Sequence, residues 1–324
     1  MNATTSMTMD SRALKWALVV VLICVAAPYL TGLHHPFVYD DYGVIVENGF
    51  LQNPSRMIDV VIGSTISDPG VIDGRRPMVV FTYFLDRLIW GLYPDGYHIT
   101  NLALHLGCAG LFFGLIRKLG GGGFFMLAAT LLFGLHPVLT EAVQIPAFRE
   151  DLLCAFFLLL YLRMSLSPRP IVGLSANLFL IFAVLSKETA MIGPGMLLAF
   201  RWYFPSLPKP PRSIIRLQFL LGLLIVCDFI TILSIHPSIQ GLSVTWNGLS
   251  LLFPENFFTA PWLWLKWLRL LLIPVPLLAD YSISPVTKAG SYPFLLGMQG
   301  LMLAALVACF LRKKHPFPAL AFAW

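Results

Sequence analysis

Apolar runs of about twenty residues, separated by short segments that hold nearly all of the charge, confine this chain to a lipid bilayer. Charged residues make up 12% of the 324 and hydrophobic ones 57%, with a mean hydropathy of +0.78. A soluble domain carries about 25% charged residues, so that class is excluded. The net charge of +6 reads as topology, because Lys and Arg gather at the ends of apolar runs; no nucleic-acid footprint follows from it. Cys24, Cys108, Cys154, Cys227 and Cys309 all fall inside apolar runs without ligand spacing. Neither a disulfide framework nor a zinc site is expected.

The run from Trp16 to Leu33 follows Arg12 and Lys15 and reads as a retained anchor, since no small-residue cleavage site follows it. Holding those two cations in the cytoplasm puts residues 34–97 on the outer face. Further spans are expected over 97–119, 124–144, from Ala147 to Arg163, over 171–185, from Met191 to Arg201, over 214–235 and over 292–311. Residues 236–292 form a second large external region. Within it, 259–273 reads as interfacial or re-entrant, because a crossing there would put Arg312, Lys313 and Lys314 outside. A short helix is expected after Asn53-Pro54, and a second, interfacial one from Pro77 to Leu92. The expected fold is therefore an all-α polytopic membrane protein: one helical bundle of about eight spans, with interfacial helices in the first and fourth external loops. The closing HPFPALAFAW reads as the opening of a ninth span that the chain does not complete, so the sequence reads as truncated at its C-terminus.

An ionisable group at membrane depth is costly, about 2.5–3.5 kcal/mol at a helix centre, and so marks a site or a pair. Asp40-Asp41 is the sharpest such signal: one carboxylate can act as a general base and the other can orient a substrate or bind a cation. The plain alternative is a cap on a short helix beginning at Tyr42. Arg75 and Arg76 before Pro77 can clamp a phosphate or simply meet lipid headgroups. Arg149 with Glu150 and Asp151, and Lys187 with Glu188, read equally well as local ion pairs. His136-Pro137 with Glu141 is a weak metal-ligand suggestion, and Asp228, deep in an apolar run, has no evident role. Apart from Asp228, the topology places these groups on one side of the membrane. That arrangement suits transfer from a lipid-phosphate donor, which needs a base for the acceptor and cations for the departing phosphate.

The blocks FVYDD, GRRP, YHITNLALH, HPVLTEAV, FREDLLCAFFLL, LSKE and LLADYS, in this order, resemble the membrane half of the transmembrane and tetratricopeptide-repeat O-mannosyltransferases and their bacterial relatives. These are GT-C glycosyltransferases that use polyprenyl- or dolichyl-phosphate sugars. The resemblance runs from about Phe37 to the end and implies that Asp40 and Asp41 are the catalytic pair. Arg76, His98, Asn101, His105, His136, Glu141, Arg149, Asp151, Lys187, Glu188 and Asp280 fall on the shared blocks. The implied activity is inverting transfer of a mannose-like sugar from the lipid phosphate to a hydroxyl acceptor on protein or glycan. Arg76, Arg149 and Lys187 would hold the phosphate, and a divalent cation is a conceivable cofactor. Two departures stand out: no tetratricopeptide repeats follow, and Phe148 stands where the pattern has glycine. The alternatives are a lipid-linked substrate flippase or transporter, and a non-catalytic membrane scaffold. A bacterial cytoplasmic membrane is favoured over endoplasmic reticulum.

Overall fold

The computed structural model describes residues 10–68, 70–207, 209–235, 257–278, 281, 284–311 and 316–317. Among them all regular structure is helical and no strand occurs. The chain divides into two compact units, Met1–Leu197 with Leu207–Ile230, and Leu198–Ser206 with Thr231–Trp324. Residues 236–256 of the second external region, and Asp280, lie outside the described residues.

In chain order the helices are α1 (Ser11–Ala26), α2 (Met57–Val61), α3 (Pro77–Trp90), α4 (Pro94–Lys118), α5 (Gly123–Gly134), α6 (Thr140–Gln144), α7 (Arg149–Ser165), α8 (Pro170–Val184), α9 (Gly193–Tyr203), α10 (Arg212–Ile235), α11 (Phe257–Leu272) and α12 (Tyr292–Leu311). Among the described residues, three segments are long and apolar enough to cross a membrane: Arg12–Gly32, Pro94–Lys118 and Tyr292–Leu311. A fourth arises if the pair Gly123–Gly134 and Pro137–Gln144, bent by 44°, counts as one crossing.

That bend has a local cause. Pro137 cannot donate to the preceding turn, and His136 is extended, with ψ at 125°. The break leaves the Gly134 carbonyl without a helical partner. Inside a bilayer such a group must find another donor. It accepts from His105 Nε2 at 2.9 Å and from the Tyr29 hydroxyl at 3.4 Å, and the two rings meet edge to face with centroids 5.2 Å apart. His136 caps the restart, its Nδ1 accepting from the Val138 N–H at 3.3 Å.

The same logic recurs along α4. His98, Asn101 and His105 are spaced by three and four residues and so share one helix face. All three are buried. His98 Nε2 donates to the His35 carbonyl at 3.0 Å, and Asn101 Nδ2 donates to the carbonyls of Ile145 (3.2 Å) and Ala142 (3.4 Å). This polar stripe therefore satisfies backbone freed at three separate irregularities.

Residues 34–93 are a folded layer. Asn53 opens the turn Pro54–Arg56, its side chain accepting from Ser55 N, and α2 follows. Phe37, Ile45, Phe50, Leu51, Val79, Val80, Tyr83 and Phe84 form one apolar core with Tyr97 of α4 and Leu153 of α7. The opposite face of α3 leaves Leu88 and Ile89 exposed at 55% and 67%.

In the second unit α11 packs against α12 through glycine. A Cβ on Gly297 would collide with the backbone of Pro261, and one on Gly300 would meet the Leu265 side chain. Lys266 on α11 lies 5.4 Å from the Trp262 ring centroid, and Thr259 Oγ1 accepts from Val286 N at 2.8 Å. α11 has 16 residues, fewer than the three segments that are long and apolar enough to cross. Because backbone cannot yield as a flexible side chain can, Gly297→Ala is expected to destabilise the α11–α12 pair by about 1–3 kcal/mol. The measurement is thermal unfolding in detergent, with the exposed Gly290→Ala as control.

Candidate functional site

The two adjacent aspartates have separate fates. Asp41 is 0% exposed. Its Oδ2 accepts from Val38 N at 2.9 Å and its Oδ1 from Ala147 N at 2.7 Å, tying the first loop to the turn that precedes α7. Burial raises the Asp41 carboxyl above its ordinary value of 3.8, while these two N–H groups and His98 pull against that rise. A helical turn does begin at Tyr42, yet Asp41 makes no side-chain cap to it. Asp40 is exposed and makes no hydrogen bond or ion pair among the described residues. The backbone between the two Asp41 contacts is strained, since Tyr39 sits at φ +46°, a region that bulky residues rarely occupy.

A second left-handed residue, Asp73 at φ +56°, lies within electrostatic reach of Asp40. Burial raises its carboxyl above 3.8; Arg76 opposes the rise, and the charges of Asp40 and Glu188 add to it. From Asp73 a chain of ion pairs runs inward. Arg76 reaches Asp73 at 3.8 Å, Glu150 at 3.2 Å and Glu188 at 3.3 Å. Lys187 reaches Glu150 at 3.7 Å and Asp151 at 2.6 Å. Burial raises the Glu188 carboxyl, but its own backbone N–H and Arg76 outweigh that effect and leave it below its ordinary value. Glu141 is exposed and within electrostatic reach of Asp151 and Lys187.

Arg149 lies beneath this cluster, 0% exposed. Nη2 pairs with Asp86 Oδ2 at 2.5 Å and donates to the Tyr97 carbonyl at 3.3 Å. Nε donates to Asn101 Oδ1 at 2.7 Å and Nη1 to Thr82 Oγ1 at 3.4 Å, and the guanidinium carbon sits 4.9 Å from the Tyr83 ring centroid. Asp86 in turn accepts from Thr100 at 2.7 Å. The Tyr83 hydroxyl bonds the carbonyls of Pro146 and Ala147, each at 3.1 Å. Arg149, expected from the sequence to hold phosphate, is thus spent on protein partners.

Of the residues singled out in the sequence, the structure gathers Asp40, Arg76, Asp151, Lys187 and Glu188, with Glu141 at the margin. It places His98, Asn101, His105 and His136 on backbone groups instead. Asp228 is exposed on α10. The sequence reading passes over Asp73 and Asp86 and gives Glu150 only as a local ion-pair partner; the Asp73-Gly74 pair reads as an ordinary turn, and nothing local distinguishes Glu150 from Asp151. Among the described residues no three His, Cys, Asp or Glu side chains converge as a metal site.

The chain is 35% identical over 171 residues to the protein O-mannosyl-transferase Tmtc1 of Drosophila melanogaster, covering 50% of this chain and 20% of the fly protein. It is 36% identical over 167 residues to the protein O-mannosyl-transferase TMTC4 of Mus musculus, covering 45% and 22%. The chain is homologous to part of these protein O-mannosyl-transferases. A longer match, 26% identical over 299 residues, is to the Caenorhabditis elegans protein O-mannosyl-transferase F38B6.6, covering 86% of this chain and 41% of that relative. The chain therefore matches between a fifth and about two fifths of the length of these relatives. No family model and no solved structure matches it.

Two outcomes follow from the geometry. Arg149→Ala strands the buried Asp86 carboxylate and is expected to cost about 3–5 kcal/mol in thermal or denaturant unfolding, whereas the paired Arg149→Met, Asp86→Leu change costs less. The raised Asp73 carboxyl binds its proton more tightly in the fold than in the unfolded chain, so its stabilisation is full below 3.8 and declines as pH rises through the folded value. Asp73→Asn removes that decline. The stability of wild type relative to Asp73→Asn is thus expected to fall with rising pH, as read from paired melting curves.

Proposed function

We propose that this chain is the membrane part of a GT-C glycosyltransferase that moves a mannose-like sugar from a polyprenyl- or dolichyl-phosphate carrier to a hydroxyl on protein at the outer or lumenal face. The observation that carries the reading is the division of labour at residues 40 and 41: one carboxylate is locked between two backbone donors, and its neighbour is held out unpartnered on a strained turn. The names of the relatives point to the same reaction class.

In this scheme Asp40 takes the proton of the acceptor hydroxyl as its oxygen attacks the anomeric carbon. The bond from that carbon to the phosphate oxygen breaks, and the departing lipid phosphate keeps the electron pair. Arg76 and Lys187 hold the charge that develops on it. A single displacement of this kind inverts the anomeric centre. Asp41 does not touch the reacting atoms; it holds the turn.

The reading also takes about eight crossings with a cytoplasmic N-terminus, counting α7 to α10 among them. It lays α3 in the interface, where its exposed Leu88 and Ile89 meet acyl chains. A bacterial cytoplasmic membrane is the favoured location, with endoplasmic reticulum the alternative.

The test is mannosyl transfer by the purified chain from labelled dolichyl-phosphate mannose to a hydroxyl acceptor. Asp40→Asn is expected to lose about 10²–10⁴-fold in rate with an unchanged melting temperature, because it deletes a base and no contact. Asp41→Asn is expected to lower both rate and melting temperature. Full transfer by an Asp40→Asn, Asp41→Asn double variant would end the assignment.

A further inference from the structure

Arg76 and Lys187 come from distant points in the chain, one at the entry to α3 and the other in the turn after α8. Left to themselves, two cations in one site repel. What they share is Glu150, whose Oε1 lies 3.2 Å from Arg76 Nη1 and 3.7 Å from Lys187 Nζ. The other carboxylates on these cations are more open to solvent, Asp73 at 29%, Glu188 at 44% and Asp151 at 51% side-chain exposure, whereas Glu150 is at 8%. Glu188 and Asp151 are therefore free to swing aside for an arriving anion. Glu150 is not. Its position on α7 is set by the preceding residue, Arg149, which anchors the first turn of the helix to α3 and α4.

Resting on the reading of the site as one for a lipid phosphate, we propose that Glu150 is a positioning residue that holds Arg76 and Lys187 side by side, so that together they grip one phosphate monoester. The exposed carboxylates leave when the phosphate arrives, and the buried one stays and keeps the two cations converged. A carboxylate that acted only through its charge would do the opposite, competing with phosphate for both cations. The sign of the effect of removing it therefore separates the two roles.

The experiment titrates the full chain in detergent with dolichyl monophosphate and, in a parallel arm, with inorganic phosphate. Wild type, Glu150→Gln and Glu150→Asp are compared, each with its melting temperature. Positioning predicts that Glu150→Gln weakens dolichyl monophosphate about tenfold although it removes a competing negative charge. Glu150→Asp, one methylene shorter and able to reach only one cation, is expected to fall between the two, and it carries the test if Glu150→Gln does not fold. Weakening in the inorganic phosphate arm as well attributes the effect to the phosphate group; weakening confined to the lipid attributes it to a headgroup delivered from the bilayer. Unchanged or tighter binding by folded Glu150→Gln or Glu150→Asp overturns the role of Glu150 while leaving the site's function standing. Absence of binding by wild type in both arms overturns both.

Discussion

The first unit depends on one buried guanidinium. Arg149 is excluded from solvent and reaches α3 through Asp86 and Thr82, and α4 through Asn101 and the Tyr97 carbonyl, from its own place at the start of α7. A charge in that setting is tolerable only because every direction of its planar fork meets an acceptor or an aromatic face. A lysine offers a point charge with no such fork. The turn Pro146–Phe148 is thereby fixed, and with it the Ala147 N–H that holds Asp41. Presentation of Asp40 is the far end of this linkage, through a side chain that never meets substrate.

The bilayer explains why so many polar residues of this chain are structural. A broken apolar helix exposes carbonyls that water cannot reach, and each needs a donor from elsewhere. His105 supplies one to Gly134, Asn101 to Ala142 and Ile145, and His98 to His35. The three donors sit on one face of α4, the straight helix, while the acceptors lie on segments that bend or end. The straight element thus carries the polar stripe and the irregular ones carry the gaps.

At the cluster itself the carboxylates outnumber the two cations, and the arrangement is ordered by depth. Glu150 is buried and bridges both cations, while Glu188 and Asp151 are shallow and bind one each. Shallow pairs are screened and weak, and deep ones persist. A gradient of this kind gives a site whose two cations are paired when it is empty yet stay within reach of an anion. Asp73, at 29% side-chain exposure, falls between Glu150 and the shallow pair, Asp40 is exposed, and each lies at or beside a residue in the left-handed region.

Much of the architecture is legible in the residues alone, because apolar runs and their charged ends act through neighbours a few positions away. The helix after Asn53-Pro54 and the helix from Pro77 follow from local chemistry, whereas the run over 124–144, read as one span, is bent at Pro137. Which aspartate is spent and which is free does not, since the N–H that captures Asp41 is 106 residues further along the chain. Nor does the inward turn of Arg149 beside the shallower Glu150 and Asp151: three consecutive charged residues on a helix point in three directions, and only the packing around that helix decides which of them meets protein and which meets solvent. Local sequence determined where the chain is helical; the tertiary structure alone assigned each charged group its depth, and depth sets whether such a group holds the fold or stays free to act.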